Sequence, residues 1–305
     1  MSTEAVSPRY ADLDLWPTPA AVEAMAEAQV AASAVVLGQA RNIADAADAA
    51  AERLREGGGR LVYVGAGTSG RVAVQDGVEL GPTFDWPDER LRYLLAGGLD
   101  ALVRSVEGAE DDGAAGETAM AELGPCSCDV VIGVAASGRT PYTVAALRAA
   151  SRAGALTIGI AGNEGTPLSD GFAHSILLPT GAEVVAGSTR MKAGTAQKIA
   201  LNCLSTAIMI RLGRVHGGLM VDMRPSNAKL RARAVAMVAE IASVPIGTAR
   251  AALQAADGEV KVAALIASGH DREVAVQALA AAGGRLRGAM VELASVAQRA
   301  GQPVR

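Results

Sequence analysis

Aromatic side chains make up only 3% of this 305-residue chain. That shortage weighs against a single-stranded nucleic-acid binder, which stacks bases on aromatic platforms. Histidine is also scarce, with three residues, and cysteine is limited to Cys126, Cys128 and Cys203. Three unevenly spaced cysteines make no disulfide framework. A lone C-x-C without a second pair weighs against a zinc site. Reduced thiols and no metal are therefore expected. Net charge is −4, so the chain lacks the global basic field that would draw it to nucleic acid or an anionic membrane. No uninterrupted apolar run reaches the roughly 20 residues of a membrane span. The opening MSTEAVSPRY lacks the basic and apolar regions of a signal peptide. A cytoplasmic chain is the expectation.

Half of the residues are hydrophobic and 35 are glycine. A core of small and branched side chains suits helices lying closely on a parallel sheet. Residues 1–56 read as an arm followed by two helices, Ala20–Leu37 and Arg41–Glu56, stopped by Gly57-Gly58-Gly59. The arm carries Tyr10, Leu13, Leu15 and Trp16 and is expected to pack on the core or on a partner subunit. Residues 57–225 change rhythm. Apolar strands at Leu61–Val64, Leu91–Leu95, Val130–Val134, Leu156–Ile160 and Ser175–Leu178 alternate with helices at Arg71–Leu80, Leu99–Met120 and Tyr142–Ala153. That alternation predicts a five-stranded parallel sheet with helices on both faces. A long buried helix, Thr189–Leu212, follows. Residues 226–305 read as a small all-helical domain: Ala228–Ile241, Ile246–Ala256, Glu259–Ser268, Asp271–Ala281 and Arg285–Ala300. Its arginines are spread over several helices, as on solvated faces.

The chemistry gathers in two echoing loops. Gly65-Ala66-Gly67-Thr68-Ser69-Gly70-Arg71 follows the first strand, and Ala135-Ala136-Ser137-Gly138-Arg139-Thr140-Pro141 follows the third. Small residues let backbone approach an anion, and a helix N-terminus then offers free N–H groups and partial positive charge. Gly65, Gly67, Gly70 and Gly138 are the glycines expected to give that access. The first loop also fits a dinucleotide fingerprint, but the second strand ends Leu95-Ala96-Gly97-Gly98 with no acid for a ribose. Two hydroxyl-bearing loops suit one phosphate, held by Thr68, Ser69, Gly70, Ser137, Gly138, Arg139 and Thr140, with no nucleotide cofactor. A third polar cluster runs Gly187–Thr195, where Ser188 and Thr189 are N-cap candidates and Lys192 is a candidate phosphate contact. Among the acids, Glu79 stands in an apolar stretch and is expected to be partly buried or to face a cleft. Glu107 and Glu110 cannot be told apart from a solvated face by pattern alone.

Taken together, several blocks resemble the N-acetylmuramic acid 6-phosphate etherases of the sugar-isomerase (SIS) fold superfamily. They are Gly65–Arg71, Asp76-x-x-Glu79, Val106–Asp111, Ala135–Tyr142, Gly181–Lys198 and Leu219-Met220-Val221-Asp222. The resemblance runs in order from about residue 57 to 225. It implies a flavodoxin-like sheet, a homodimer with sites near the subunit interface, and cleavage of a D-lactyl ether without a cofactor. Glu79 matches the family's acid and Glu110 its base. Ser69, Ser137 and Thr140 match the superfamily's phosphate-binding hydroxyls. Two departures stand out: the arm's Leu13–Pro19, and Val78 where the family has a serine beside the acid. Two other functions fit the same cradle. One is an aldose–ketose isomerase using one carboxylate. The other is a non-catalytic sugar-phosphate sensor, which on this fold usually carries an N-terminal helix-turn-helix that these alanine-rich, acidic helices do not resemble.

Overall fold

The structure is a computed structural model and describes residues 3–55 and 57–299. Its elements run α1 (Thr18–Leu37), α2 (Ala40–Arg55), β1 (Leu61–Gly65), α3 (Gly67–Val78), α4 (Leu80–Phe84), β2 (Leu91–Leu95), α5 (Gly113–Leu123), β3 (Val130–Ala135), α6 (Pro141–Arg152), β4 (Leu156–Ala161), α7 (Pro167–Asp170), β5 (His174–Leu177) and α8 (Lys192–Arg211). A short hairpin follows, β6 (Val215–His216) and β7 (Leu219–Met220). The chain then continues as α9 (Ala228–Ala242), α10 (Ile246–Ala255), α11 (Val260–Ala267), α12 (Arg272–Ala281) and α13 (Leu286–Arg299). Glu56 and Ala300, where two expected helices end, lie outside the described residues.

The five strands form one parallel sheet in the order β2-β1-β3-β4-β5. β1, β3 and β4 are buried along their whole length. This explains why they read as unbroken apolar runs rather than alternating ones. On one face Val62, Val64 and Val131 pack with Tyr142, Ala146 and Leu147 of α6 and Met120 of α5. Small residues set the spacing there. A Cβ at Gly116 of α5 would collide with the backbone of Tyr142, and one at Gly133 with Leu147.

The contacts divide the chain into two units, one of the described residues up to Val78 with Pro87–Ile208, the other of Glu79–Trp86 with Met209 onward. The division therefore falls earlier than residue 225, and the first two helices belong to the sheet unit. In the second unit, Val221 and Met223 join the core of α9 to α13, beside Ala234, Val238 and Leu265. The Arg214 guanidinium donates to the carbonyls of Phe84 (2.5 Å) and Asp85 (3.0 Å), which draws residues 79–86 into it.

Two expectations are corrected. Leu99–Met120 is not one helix: two short 3-10 turns, Leu99–Leu102 and Ala109–Asp111, precede α5. Gly108 breaks it at φ +72°, and Asp112 caps α5 by accepting the Ala115 N–H at 2.8 Å. Cys126 and Cys128 are joined as a disulfide rather than reduced. Arg53 holds the Ser127 carbonyl and Asp129 accepts the Cys126 N–H at 3.0 Å, folding the turn so that the sulfurs meet. Thr3 of the arm lies on its own chain, one of the two expected placements: it is 1% exposed and its N–H donates to Asn163 Oδ1 at 3.3 Å. α1 is the one described helix long and apolar enough to cross a membrane by composition. Glu23 and Glu27 interrupt it, and Ala24, Ala28, Ala32 and Val36 form its buried face.

Candidate active site

The strand order places the site. From β1 the chain turns to β2 on one side, and from β3 to β4 on the other. A crevice therefore opens at the carboxyl ends of β1 and β3. The two ends lie side by side: Gly65 pairs with Val134, and a Cβ on Gly65 would come within 3.2 Å of the Val134 carbonyl oxygen.

At the first junction α3 begins at once, at Gly67, so most of the expected loop is its first turn. The first intrahelical bond runs from the Gly70 N–H to the Ala66 carbonyl at 3.0 Å. The N–H groups of Gly67, Thr68 and Ser69 precede it and have no carbonyl four residues back to meet. Gly70 itself is not an anion donor, because its N–H is taken by Ala66. Its small size serves packing instead, as does that of Gly65. A Cβ on Gly65 would lie 2.7 Å from the Gly70 Cα, and one on Gly70 would strike Leu95. Gly67, at φ +52° with open space around it, keeps the exposed approach the sequence suggested.

At the second junction Gly138 has φ +72°, and a Cβ there would collide with Thr166. Glycine is required on both counts. The Ser137 Oγ accepts the Arg139 N–H at 3.1 Å and lies 3.4 Å from the Thr140 Oγ1. Thr140 holds the N-cap position of α6, followed by Pro141, so two hydroxyls stand together at a helix N-terminus. The Arg139 guanidinium reaches away, donating to the Gly165 carbonyl at 2.7 Å.

The third cluster differs. Ser188 and Thr189 do not cap α8, which starts at Lys192. Glu183 caps it, with the side chain fully buried, accepting the N–H of Lys192 and of Ala193, both at 2.9 Å. The Lys192 Nζ donates to the Ala182 carbonyl at 2.8 Å. The cluster does abut the first junction, because a Cβ on Gly194 would sit 3.2 Å from the Thr68 Cγ2.

Glu110 stands on the 3-10 turn Ala109–Asp111. Together with Ala66, Gly67, Arg71, Ala96, Ser105 and Glu107 it lines a cavity of about 280 Å³. The structure therefore brings Glu110 to the first turn of α3, which pattern alone could not do. Glu79 follows α3 as the N-cap residue of α4 and is exposed, which sets aside the partly buried alternative of the two expected. Of the apolar neighbours that suggested burial, Leu80 is buried, but Val72 and Val74 are half-buried and Val78 is 49% exposed.

Sequence reasoning left two acids without a role, Glu183 and Asp76. Asp76 is 5% exposed and its carboxylate accepts from Tyr63 (2.8 Å), Asn202 (2.6 Å) and Ser205 (3.1 Å). Burial pushes it above the usual carboxylate range, against those hydrogen bonds. The signal in each case was an acid within an otherwise small or apolar run.

The parallel sheet with helices on both faces is an α/β architecture of the SIS type. Residues 114–207 match the SIS domain family, and residues 42–151 match the N-terminal SIS domain of glucokinase regulatory protein. The chain is 51% identical over 261 residues to an N-acetylmuramic acid 6-phosphate etherase of Deinococcus radiodurans, covering 86% of this chain and 85% of that one. It is 45% identical to one of Streptomyces avermitilis over 95% of this chain and 93% of that one. A solved structure from E. coli CFT073 in complex with A5P is 16% identical, with TM-score 0.47, covering 68% of this chain and 96% of that one. The chain belongs to the N-acetylmuramic acid 6-phosphate etherase family.

Proposed function

We propose that this chain cleaves the D-lactyl ether of N-acetylmuramic acid 6-phosphate, giving N-acetylglucosamine 6-phosphate and D-lactate. One observation carries the reading: Glu110 opens into the same cavity as the first turn of α3. A carboxylate there stands beside the place where an anion would be held.

The substrate is a 2-acetamido sugar phosphate with lactate ethered at O3. An ether leaves poorly, so the chemistry needs an acidified neighbour. Opening the sugar frees an aldehyde at C1, which acidifies the C2 proton. Glu110 as base takes that proton, the C3–O3 bond breaks, and Glu79 as acid protonates O3 as lactate departs. Water then adds at C3 of the unsaturated intermediate while a proton returns to C2, so the net consumption is one water. Each acid or base contributes about 10²–10⁴-fold. Thr68, Ser69, Ser137 and Thr140 hold the phosphate, through the first-turn N–H groups of α3 and the hydroxyls, while Gly138 and Arg139, whose N–H groups go to the Ala135 carbonyl and the Ser137 Oγ, shape the second loop. That binding energy, remote from C2 and C3, orients the open chain. Ser188, Thr189 and Lys192 border the cradle rather than form it. No metal or cofactor enters these steps.

The working form in this reading is a homodimer. α1 is apolar on more than its buried face: Val22 is 53% exposed, Val30 72% and Leu37 78%. A second copy covering that face would remove a large apolar surface from water. A phosphosugar substrate does not cross a membrane unaided, and in this reading the reaction runs in the cytoplasm, where such a substrate would be formed.

The test is incubation of purified protein with N-acetylmuramic acid 6-phosphate and an enzymatic assay for D-lactate. Stoichiometric release is expected. Aldose–ketose interconversion without lactate, or tight sugar-phosphate binding without turnover, would overturn the reading.

A further inference from the structure

The two Ser-Gly-Arg echoes look like phosphate-binding arginines, yet neither guanidinium stays at its own helix N-terminus. Arg139, after β3, reaches the Gly165 carbonyl in the connection that follows β4. Arg71, after β1, reaches the connection that follows β2. Its Nε donates to the Ala101 carbonyl at 2.8 Å and a terminal nitrogen to the Arg104 carbonyl at 3.0 Å. β1 and β3 are the central pair flanking the switch point, and β2 and β4 are their outer neighbours. Each arginine therefore spans outward from the crevice by one strand, in mirrored fashion.

The connection that Arg71 grips is the one carrying the acid. Residues 97–108 form no regular helix beyond a single 3-10 turn. They are bracketed by Gly97, Gly98 and Gly108, all at positive φ. The backbone hydrogen bonds of this stretch are local ones, such as Ala101 N–H to the Gly98 carbonyl and Arg104 N–H to the Asp100 carbonyl. Leu99 and Val103 are 71% and 82% exposed, so hydrophobic packing holds it weakly. Val106 rests on Gly97, where a Cβ would lie 2.8 Å from that of Val106. Against this background two charge-assisted hydrogen bonds from one planar guanidinium are a substantial tether. Arg71 also lines the cavity that Glu110 lines.

We infer that Arg71 is a positioning residue, fastening the Glu110-bearing connection to the first turns of α3, so that the phosphate cradle and the base move as one body. The inference rests on the proposed reaction and adds a residue to it. Arg71 is not a phosphate ligand here, since its donors point to carbonyls on the acid side of the cavity.

The split between kcat and phosphate affinity separates the two roles. In Arg71→Ala, kcat for D-lactate release should fall about 10–100-fold, because a displacement of about 1 Å at a reacting group costs that much. The inhibition constant for inorganic phosphate should stay within about two-fold. Millimolar guanidinium added to Arg71→Ala should restore part of the lost kcat. Arg71→Lys, whose single ammonium cannot bridge both carbonyls, should fall between wild type and Arg71→Ala; if Arg71→Ala does not fold, the same two constants are read on Arg71→Lys. Unchanged kcat, or phosphate affinity lost in proportion to kcat, overturns the inference. A wild-type protein that releases no D-lactate overturns the proposed reaction instead.

Discussion

Three helices of the sheet unit begin near the carboxyl edge with small polar residues, and they do not do the same thing. Among the described residues, α3 and α6 start with N–H groups and hydroxyls that no carboxylate caps. α8 starts with the buried Glu183 carboxylate across its first two N–H groups. A helix N-terminus carries about half a positive charge, which an internal carboxylate neutralises. The first two are open to an outside anion and the third is closed by the protein's own. A run such as Gly187–Thr195 therefore reads like a phosphate loop while serving to anchor a core helix.

The largest expected effect tests whether the open end of α3 is where chemistry occurs. Glu110→Gln should lower D-lactate release by about 10²–10⁴-fold with little change in phosphate inhibition. Activity near wild type would remove the base from the α3 cavity. The next effect compares open and closed ends directly. Ser137→Ala with Thr140→Val should raise KM by at least about 10–100-fold, since even one hydrogen bond to a charged group is worth about 1.5–3 kcal/mol. Ser188→Ala with Thr189→Val should change KM by less than about two-fold. Equal effects would erase the distinction between the two kinds of end.

Glu183→Ala should act on stability instead. It leaves two first-turn N–H groups buried without a partner, at a cost of about 1–3 kcal/mol each, read as a shift in the urea midpoint. A variant of unchanged stability would mean the closed end is not closed by this residue. The smallest effect is in the pH dependence of stability, measured by urea midpoints from about pH 3 to 7. Asp129 is pushed up by burial, but its hydrogen bonds to Arg60 and to the backbone of Cys126 and Arg60 outweigh that and hold it below the usual range. Its stabilisation is present above the unfolded carboxylate pKa and is lost as pH falls through the folded value. Asp76, raised by burial, has the opposite sign: its contribution fades as pH rises through the folded value. Asp129→Asn should remove the acid-side loss, and Asp76→Asn should flatten the decline on the other side.

The three central strands were legible because full burial writes itself as near-unbroken apolar runs, and the C-terminal helices because Gly and Pro punctuate them. The loops after β1 and β3 were legible as an echo. What the echo could not tell was how far each helix begins inside it. Gly70 looked like an anion contact and is a packing contact against Gly65 and Leu95. The stretch Leu99–Met120 has helical composition, yet Gly108 at positive φ and the Asp112 cap divide it. Both features depend on backbone geometry that residue spacing leaves open. Glu183 was hidden for another reason: its partners are main-chain N–H groups, which leave no mark in a side-chain pattern.

The most direct measurement is a crystal structure of the protein with N-acetylglucosamine 6-phosphate. The account predicts the phosphate within hydrogen-bond reach of Ser69 and Ser137, with Glu183 still across the start of α8. A phosphate seated on residues 188–192, with Glu183 displaced, would contradict it.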